Sequence, residues 1–356
     1  MRDNKTTLCF CFHDLIGIEV VTDHPLVESF FAAEYQHHRV DRLPDDIPCV
    51  RLKFEMRIFP LLAVPVGYQR HVHKLLARWA YRISISDNHI EIDVIGNRWA
   101  IPMVHHMLVH PSLRYLSSKR DVLLLHSGSV AFGGKSLIFT GKGGTGKTTT
   151  TSLILAYGEA AWAGHSDDYT FLVPGPESWS YQTRSHLYRD LLNWVPELNG
   201  RLSYFERVRL AVLGLFRSVT QGGLLWPVRL PFDRLWPGKV VQTRARPAAV
   251  ILLERSPIQL PHLKRLSSDE MPLGDLIEMN FWEARHFIAL VKQAGVFADP
   301  DNWIRQWRLD EYNLLSKRLE EISAYTLELP QEVGRPLEFK QKLIAIIDQL
   351  VSSARI

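Results

Sequence analysis

Eight consecutive residues, Gly141-Lys142-Gly143-Gly144-Thr145-Gly146-Lys147-Thr148, satisfy the spacing G-x-x-x-x-G-K-[ST] at every fixed position. Their types define a chemistry. Glycines let successive backbone N–H groups turn into one concave nest that holds phosphate oxygens. A helix starting at Lys147 adds the positive end of its dipole to the same place. The Lys147 ammonium can then meet the outer phosphates of a nucleoside triphosphate, and the Thr148 hydroxyl can ligate magnesium. With Thr149 completing the segment, 141–149 is the expected binding stretch for ATP and Mg2+.

Transfer of a phosphoryl group also needs a group that takes the acceptor's proton. Asp167 and Asp168, in Ser166-Asp167-Asp168, are the candidates for that base and for a metal contact. Neighbours on an extended chain point to opposite sides, so the two carboxylates are expected to take different roles. His126 falls on the strand beside the loop strand, where its ring could reach the phosphates or an aspartate; a purely structural histidine is the alternative.

Other residues carry weaker signals. His106 and His110 have the i, i+4 spacing of paired metal ligands but no acidic third partner in view. Val250 to Leu253 followed by Glu254 looks like a Walker B strand with Glu in place of Asp, but reads rather as a core strand ending in a charged residue. Arg207, Arg209 and Arg217 lie among Leu and Val, a face that could dock an acidic peptide or simply be solvated. Arg244 and Arg246 are candidate phosphate contacts.

The elements that must position these groups are legible in outline. Val122 to Phe132 reads as a strand, Gly133-Gly134 as a two-residue hairpin turn, and Ser136 to Thr140 as the returning strand that leads into the loop. A helix follows over 147–157, with Gly158 expected to end it in a left-handed conformation. Residues 162–173 look extended around the aspartate pair, 185–226 mostly helical, and 248–253 a buried strand. Helices return over 275–322, followed by a strand at 325–329 and a helix at 337–351. Before 121 the texture differs. Val50 to Phe59 alternates like a strand, and 81–85 and 89–94 suggest a hairpin around Ser86-Asp87-Asn88. Residues 103–116 read as a helix that Pro111 should break or kink. These changes place a boundary between 120 and 121.

Length and composition fit a well-packed chain. Its 356 residues are 46% hydrophobic and 22% charged, enough for a sizeable core. A formal charge of +4 over this length gives no reason to expect a nucleic-acid partner. No run approaches the ~18 apolar residues of a membrane span. The three cysteines, Cys9, Cys11 and Cys49, lack metal or redox spacing, so a reduced cytoplasmic protein is expected.

These residues resemble the motifs of two families. The stretch Lys142 to Thr149 resembles the deviant phosphate loop of the ParA, MinD and arsenite-pump ATPases, in which the first lysine contacts phosphate across a dimer. The wider order resembles the HPr kinase/phosphorylase family and its peptide- and protein-kinase relatives. It runs Leu125-His126-Ser127-Gly128-Ser129-Val130, the Gly133-Gly134 turn, the loop 141–148 and Ser166-Asp167-Asp168, and extends to 248–255. A loop strand that is the second arm of a hairpin has an antiparallel neighbour, whereas the ParA-like loop follows a central parallel strand. That favours the kinase resemblance.

It implies a PEP carboxykinase-like P-loop kinase domain, α/β with a mixed sheet, over 121–356, preceded by a smaller α+β module over 1–120. By the same resemblance Asp168 is the base, Asp167 and Thr148 sit at the magnesium, and His126 assists. The activity implied is transfer of the ATP γ-phosphoryl group to a hydroxyl, such as a serine of a peptide or small protein, with a homo-oligomer left open. The chain departs from this family at Lys142-Gly143-Gly144-Thr145, at Ala163-Gly164-His165-Ser166, and in lacking the family's later acidic metal ligand and its phosphorylase loop. A dimeric switch ATPase and a nucleotide sensor without turnover remain the alternative readings.

Overall fold

The computed structural model describes residues 5–219, 227–267 and 270–353, and within them the chain is α/β with mixed sheets. It divides into two units that are discontinuous in sequence, Met1–Leu124 with Leu273–Lys317 and Leu125–Pro272 with Arg318–Ile356. The boundary expected at 120 thus lies next to a real division, but the first unit also takes up residues 273–317, which the sequence had grouped with the C-terminal part. Its buried chemistry explains why. Arg114 is 2% exposed and donates to the fully buried Glu311 carboxylate and to the Asn280 carbonyl. Trp307 Nε1–H also donates to Glu311 (3.0 Å), and the Arg114 guanidinium lies over the Phe281 and Trp307 rings. A buried charge left without such partners is strongly destabilising, so the helices Leu273–Ala294 and Pro300–Leu319 must stay with Arg114.

The first unit is built on a seven-stranded sheet. Its strands are β1 (Thr6–Phe12), β2 (Ile16–Thr22), β3 (Arg39–Val40), β4 (Cys49–Met56), β5 (Gln69–His73), β6 (Ala77–Ile85) and β7 (His89–Gly96), in the order β3-β1-β2-β4-β7-β6-β5. Along β4, Val50, Leu52 and Phe54 are buried while Arg51, Lys53 and Glu55 are exposed, the alternation the sequence announced. The expected hairpin of β6 and β7 forms. Pro111, however, does not break its helix. A π-turn at His105–Val109 precedes it and widens the backbone, so the ring and its missing N–H fit within one continuous helical run from Ala100 to Ser118.

The second unit carries β8 (Leu123–Phe132), β9 (Lys135–Thr140), β10 (Ala163–Ser166), β11 (Tyr169–Leu172), β12 (Ser178–Ser180), β13 (Ser185–Leu187), β14 (Val228–Leu230), β15 (Arg244–Ser256), β16 (His262–Leu266) and β17 (Ser323–Pro330). Eight of them form a mixed sheet in the order β10-β8-β11-β12-β15-β17-β16, with β9 pairing both β8 and β15; β13 and β14 make a separate ribbon. The Gly133-Gly134 turn closes the β8–β9 hairpin, Phe132 opposite Lys135. On its other side β9 runs parallel to β15, with Thr140 level with Leu252. The apolar run within β15 is buried, as expected of a strand flanked on both sides. The core packs the helices Lys147–Tyr157 and Pro336–Ser353 onto these strands through Ile154, Leu343 and Ile347 against Phe139, Ile251 and Leu327.

Two local expectations need correction. Gly158 ends the helix with φ −75° and ψ 178°, extended rather than left-handed. A side chain there would meet the Ile154 carbonyl and the Trp162 ring, so close packing and not backbone handedness asks for glycine. Residues 185–226 are less helical than expected: they begin with β13, and the helices cover Arg189–Trp194 and Tyr204–Val219, with a 3-10 turn at Pro196–Arg201. The end of that stretch, 220–226, and the Arg217 side chain lie outside the described residues. Among the described residues no helix is long and apolar enough to cross a membrane.

Candidate active site

Strand β9 delivers the chain into the loop, and the loop turns directly into the helix Lys147–Tyr157. Gly146 is the N-cap with φ +112°, a conformation side chains disfavour, and it lets the backbone enter the helix with its first N–H groups free of a capping side chain. Thr145 Oγ1 donates to the Lys142 carbonyl (2.8 Å). Lys147 is buried, and its Nζ donates to the carbonyls of Gly141 (2.7 Å) and Lys142 (3.4 Å). The ammonium is therefore held against the loop's own backbone. Lys142, Gly143 and Gly144 are exposed.

The aspartate pair sits at a bend between β10 and β11, and here the structure differs from the extended geometry assumed for it. Both carboxylates turn to one residue, His186. Asp167 Oδ2 accepts the His186 backbone N–H (2.9 Å), while Asp168 Oδ2 pairs with His186 Nδ1 (2.8 Å). The bend frees the pair from the alternation of a strand, so two adjacent carboxylates can reach one residue. Their roles still differ, because one holds backbone and the other holds a ring.

A glycine in β8 brings this pair to the nucleotide helix. A Cβ on Gly128 would lie 3.2 Å from the Asp167 carbonyl and 3.2 Å from Thr151 Cγ2. Strand, helix and aspartate bend therefore converge where a side chain would be tight. Ser127 N–H donates to the Asp168 carbonyl (3.0 Å) and fixes the bend in height. His126, the preceding residue, accepts at its carbonyl from Thr140 Oγ1 (3.0 Å), and its ring lies 5.1 Å from that of Tyr169.

Electrostatics separate the two carboxylates. Burial and then the neighbouring Asp168 charge push the Asp167 carboxyl up to about 6. For Asp168 burial acts in the same direction, but it is outweighed by His186, His126 and Arg229, which hold this carboxyl below the usual carboxylate range. His186 is raised: burial opposes its charge, and the Asp168 carboxylate overcomes that. One member of the pair is thus firmly ionised and the other is readily protonated.

Three residues of this neighbourhood had no signal in the sequence. His186 and Arg229 arrive on the β13–β14 ribbon, where they stand opposite one another. Arg255 arrives at the end of β15. Its guanidinium donates to the Pro330 carbonyl (2.6 Å) and lies 3.2 Å from where a Gly146 side chain would begin. Only the parallel register of β15 with β9 reveals that it borders the loop. Arg244 and Arg246 do not share this placement. Arg246 is level with Lys135, at the far end of β9 from the loop, and Arg244 lies over the Trp179 ring, so the phosphate role read for them does not follow.

Thr148, Asp167 and His186 line one small, partly open cleft. Ser129, Ser166 and Gln182 add neutral polar groups, and Leu191, Phe232 and Trp236 close its apolar side. The donors expected for magnesium, Thr148 and Asp167, thus face the same space, and a cation there would offset the cost of ionising Asp167. Such a site needs few protein ligands, since phosphate oxygens and water complete the octahedron. His106 is exposed and His110 buried, and among the described residues no group of three or more His, Cys, Asp or Glu side chains is arranged to hold a metal. No family model matches the chain, and no curated protein is similar to it in sequence.

Proposed function

We propose that the chain is an ATP-dependent kinase that transfers the γ-phosphoryl group to a hydroxyl, with a peptide or small protein as the acceptor. The observation that carries this reading is the convergence at Gly128 of the phosphate-loop helix with an aspartate pair and its histidine. Phosphoryl transfer asks for charge neutralisation beside the phosphates and an acid–base group beside the acceptor. Lys147, the helix N-terminus and Arg255 supply the first. Asp168 with His186 supplies the second.

Magnesium, when bound with the nucleotide, neutralises phosphate charge; Thr148 and Asp167 are the residues to hold it. The loop glycines orient the phosphates through their N–H groups, and Lys147 leaves the Gly141 carbonyl for the outer phosphates. Asp168, kept ionised by its neighbours, holds the His186 ring beside the cleft. Arg229 and His126 place further positive charge around Asp168. The PEP carboxykinase-like arrangement inferred from the sequence is in keeping with a loop strand paired antiparallel to β8 and parallel to β15.

The test is incubation of the protein with Mg2+ and γ-labelled ATP, alone and with an array of Ser-, Thr- and Tyr-centred peptides. Label transfer to a hydroxyl is the expected result. Release of free phosphate alone, with ATP-dependent dimerisation in light scattering, favours the switch-ATPase reading that Lys142 suggests. ATP binding without any turnover favours a sensor.

A further inference from the structure

The Asp168–His186 pair has a geometry that its part in the proposed kinase does not yet use. A carboxylate only accepts hydrogen bonds, so the contact at 2.8 Å places the imidazole proton on Nδ1. In the neutral ring, the form a base must start from, the opposite nitrogen, Nε2, then carries the lone pair. That atom is inaccessible to solvent and has no hydrogen-bond partner. Leaving a buried acceptor unsatisfied costs about 1–3 kcal/mol, so its retention calls for a reason. His186 is also one of the residues lining the cleft shared with Thr148 and Asp167, so Nε2 lies just behind its wall.

We propose that the cleft is the acceptor subsite and that His186 Nε2, not an Asp168 oxygen, takes the proton of the acceptor hydroxyl. Asp168 holds the ring by its Nδ1–H and faces the imidazolium that forms. The acceptor O–H proton passes to Nε2 as the acceptor oxygen bonds to the γ-phosphorus. The bond from that phosphorus to the β–γ bridging oxygen breaks, and ADP leaves with the electron pair. The lining defines the acceptor class. Ser129, Ser166 and Gln182 offer neutral hydrogen bonds, Leu191 and Phe232 an apolar wall, and among the described residues no lysine or arginine lines the space. An uncharged, hydroxyl-bearing side chain fits this lining, and a phosphorylated or carboxylate-bearing acceptor does not.

This inference rests on the kinase reading, and the experiment separates the two failures. Asn at 186 can still donate to Asp168 from its amide but places nothing at the Nε2 position. If His186 is the base, His186→Asn lowers the turnover of γ-labelled ATP with the peptide array by about 10²–10⁴-fold while calorimetric affinity for Mg-ATP is retained. If His186 only steadies Asp168, the Asn variant keeps near-wild-type turnover, and the proposal is overturned. His186→Ala with added imidazole is the second arm. Recovery of turnover that saturates with imidazole supports a missing base, and no recovery in a folded, ATP-binding variant counts against it. Preferential labelling of peptides with acidic residues flanking the hydroxyl, or of already phosphorylated ones, overturns the acceptor class. A wild-type protein that transfers no label at all overturns the kinase reading itself.

Discussion

Replacing Asp167 by Asn should make the nucleotide-free protein more stable while weakening its hold on magnesium. The ordinary Asp carboxyl titrates near 3.8, and burial with the adjacent Asp168 charge raises that of Asp167 to about 6. A carboxyl whose pKa is raised on folding is held in its neutral form, so its ionisation subtracts stability above about 6, and the penalty fades as pH falls toward the unfolded value near 3.8. At about 1.4 kcal/mol per pH unit the ceiling is about 3 kcal/mol. Water reaches the cleft and screens the charge, which leaves an expected gain of about 1–2 kcal/mol for Asp167→Asn at pH 7.5. Asn keeps an oxygen for the His186 N–H, so the bend need not rearrange. For a unit of this size each kcal/mol moves the midpoint by about 2–4 °C, so calorimetric scans should rise by about 2–8 °C at pH 7.5 and by roughly half as much at pH 5. In the presence of Mg-ATP the order should narrow or invert, since the wild type gains more from the ligand. A midpoint at or below wild type at pH 7.5, or a gain that does not change between pH 7.5 and 5, refutes the picture of a charge strained by burial.

Lys147→Ala should abolish measurable Mg-ATP binding in calorimetry, because it removes the ammonium that meets the outer phosphates; Lys142→Ala, at an exposed position, should leave turnover within a few-fold of wild type. Equal losses from both, with ATP-dependent dimerisation, would favour the switch ATPase. Asp168→Asn should retain ATP affinity and slow label transfer by about 10²–10⁴-fold, since it disturbs the acid–base pair and not the loop. Gly128→Ala places a methyl 3.2 Å from the Asp167 carbonyl and from Thr151, so it should cost about 1–3 kcal/mol in urea unfolding and lower turnover by moving the bend away from the helix.

The residues from Gly141 to Thr148 could be read as a phosphate loop without any structure because every group that matters is local. Backbone N–H groups of consecutive glycines and the first turn of the adjoining helix make the site, and spacing fixes both. The β8–β9 hairpin was legible for the same reason: Gly133-Gly134 between apolar runs is a short-range signal. Alternation in β4 and the wholly apolar run in β15 likewise declared their strands. The same local reasoning misplaced the effect of Pro111, because a π-turn one step earlier absorbed it, and the backbone at Gly158, because packing against Trp162 rather than helix termination set its conformation.

What surrounds the loop was decided elsewhere. His186 and Arg229 reach the aspartate bend on a ribbon whose two strands lie far apart in the chain, and no periodicity in either three-residue strand points to Asp168. Arg255 borders Gly146 only through the parallel register of β15 on β9, since parallel neighbours are joined by long crossovers and not by turns. Residues 273–317 join the N-terminal sheet because Arg114 and Glu311 neutralise each other in a dry interior. The sequence by itself therefore determined the strands, the hairpin and the phosphate loop, whose physics is complete within a few residues. Tertiary structure decided which carboxylate meets which histidine and which cation meets the loop, because pairing of buried charges is settled by packing between segments distant in sequence.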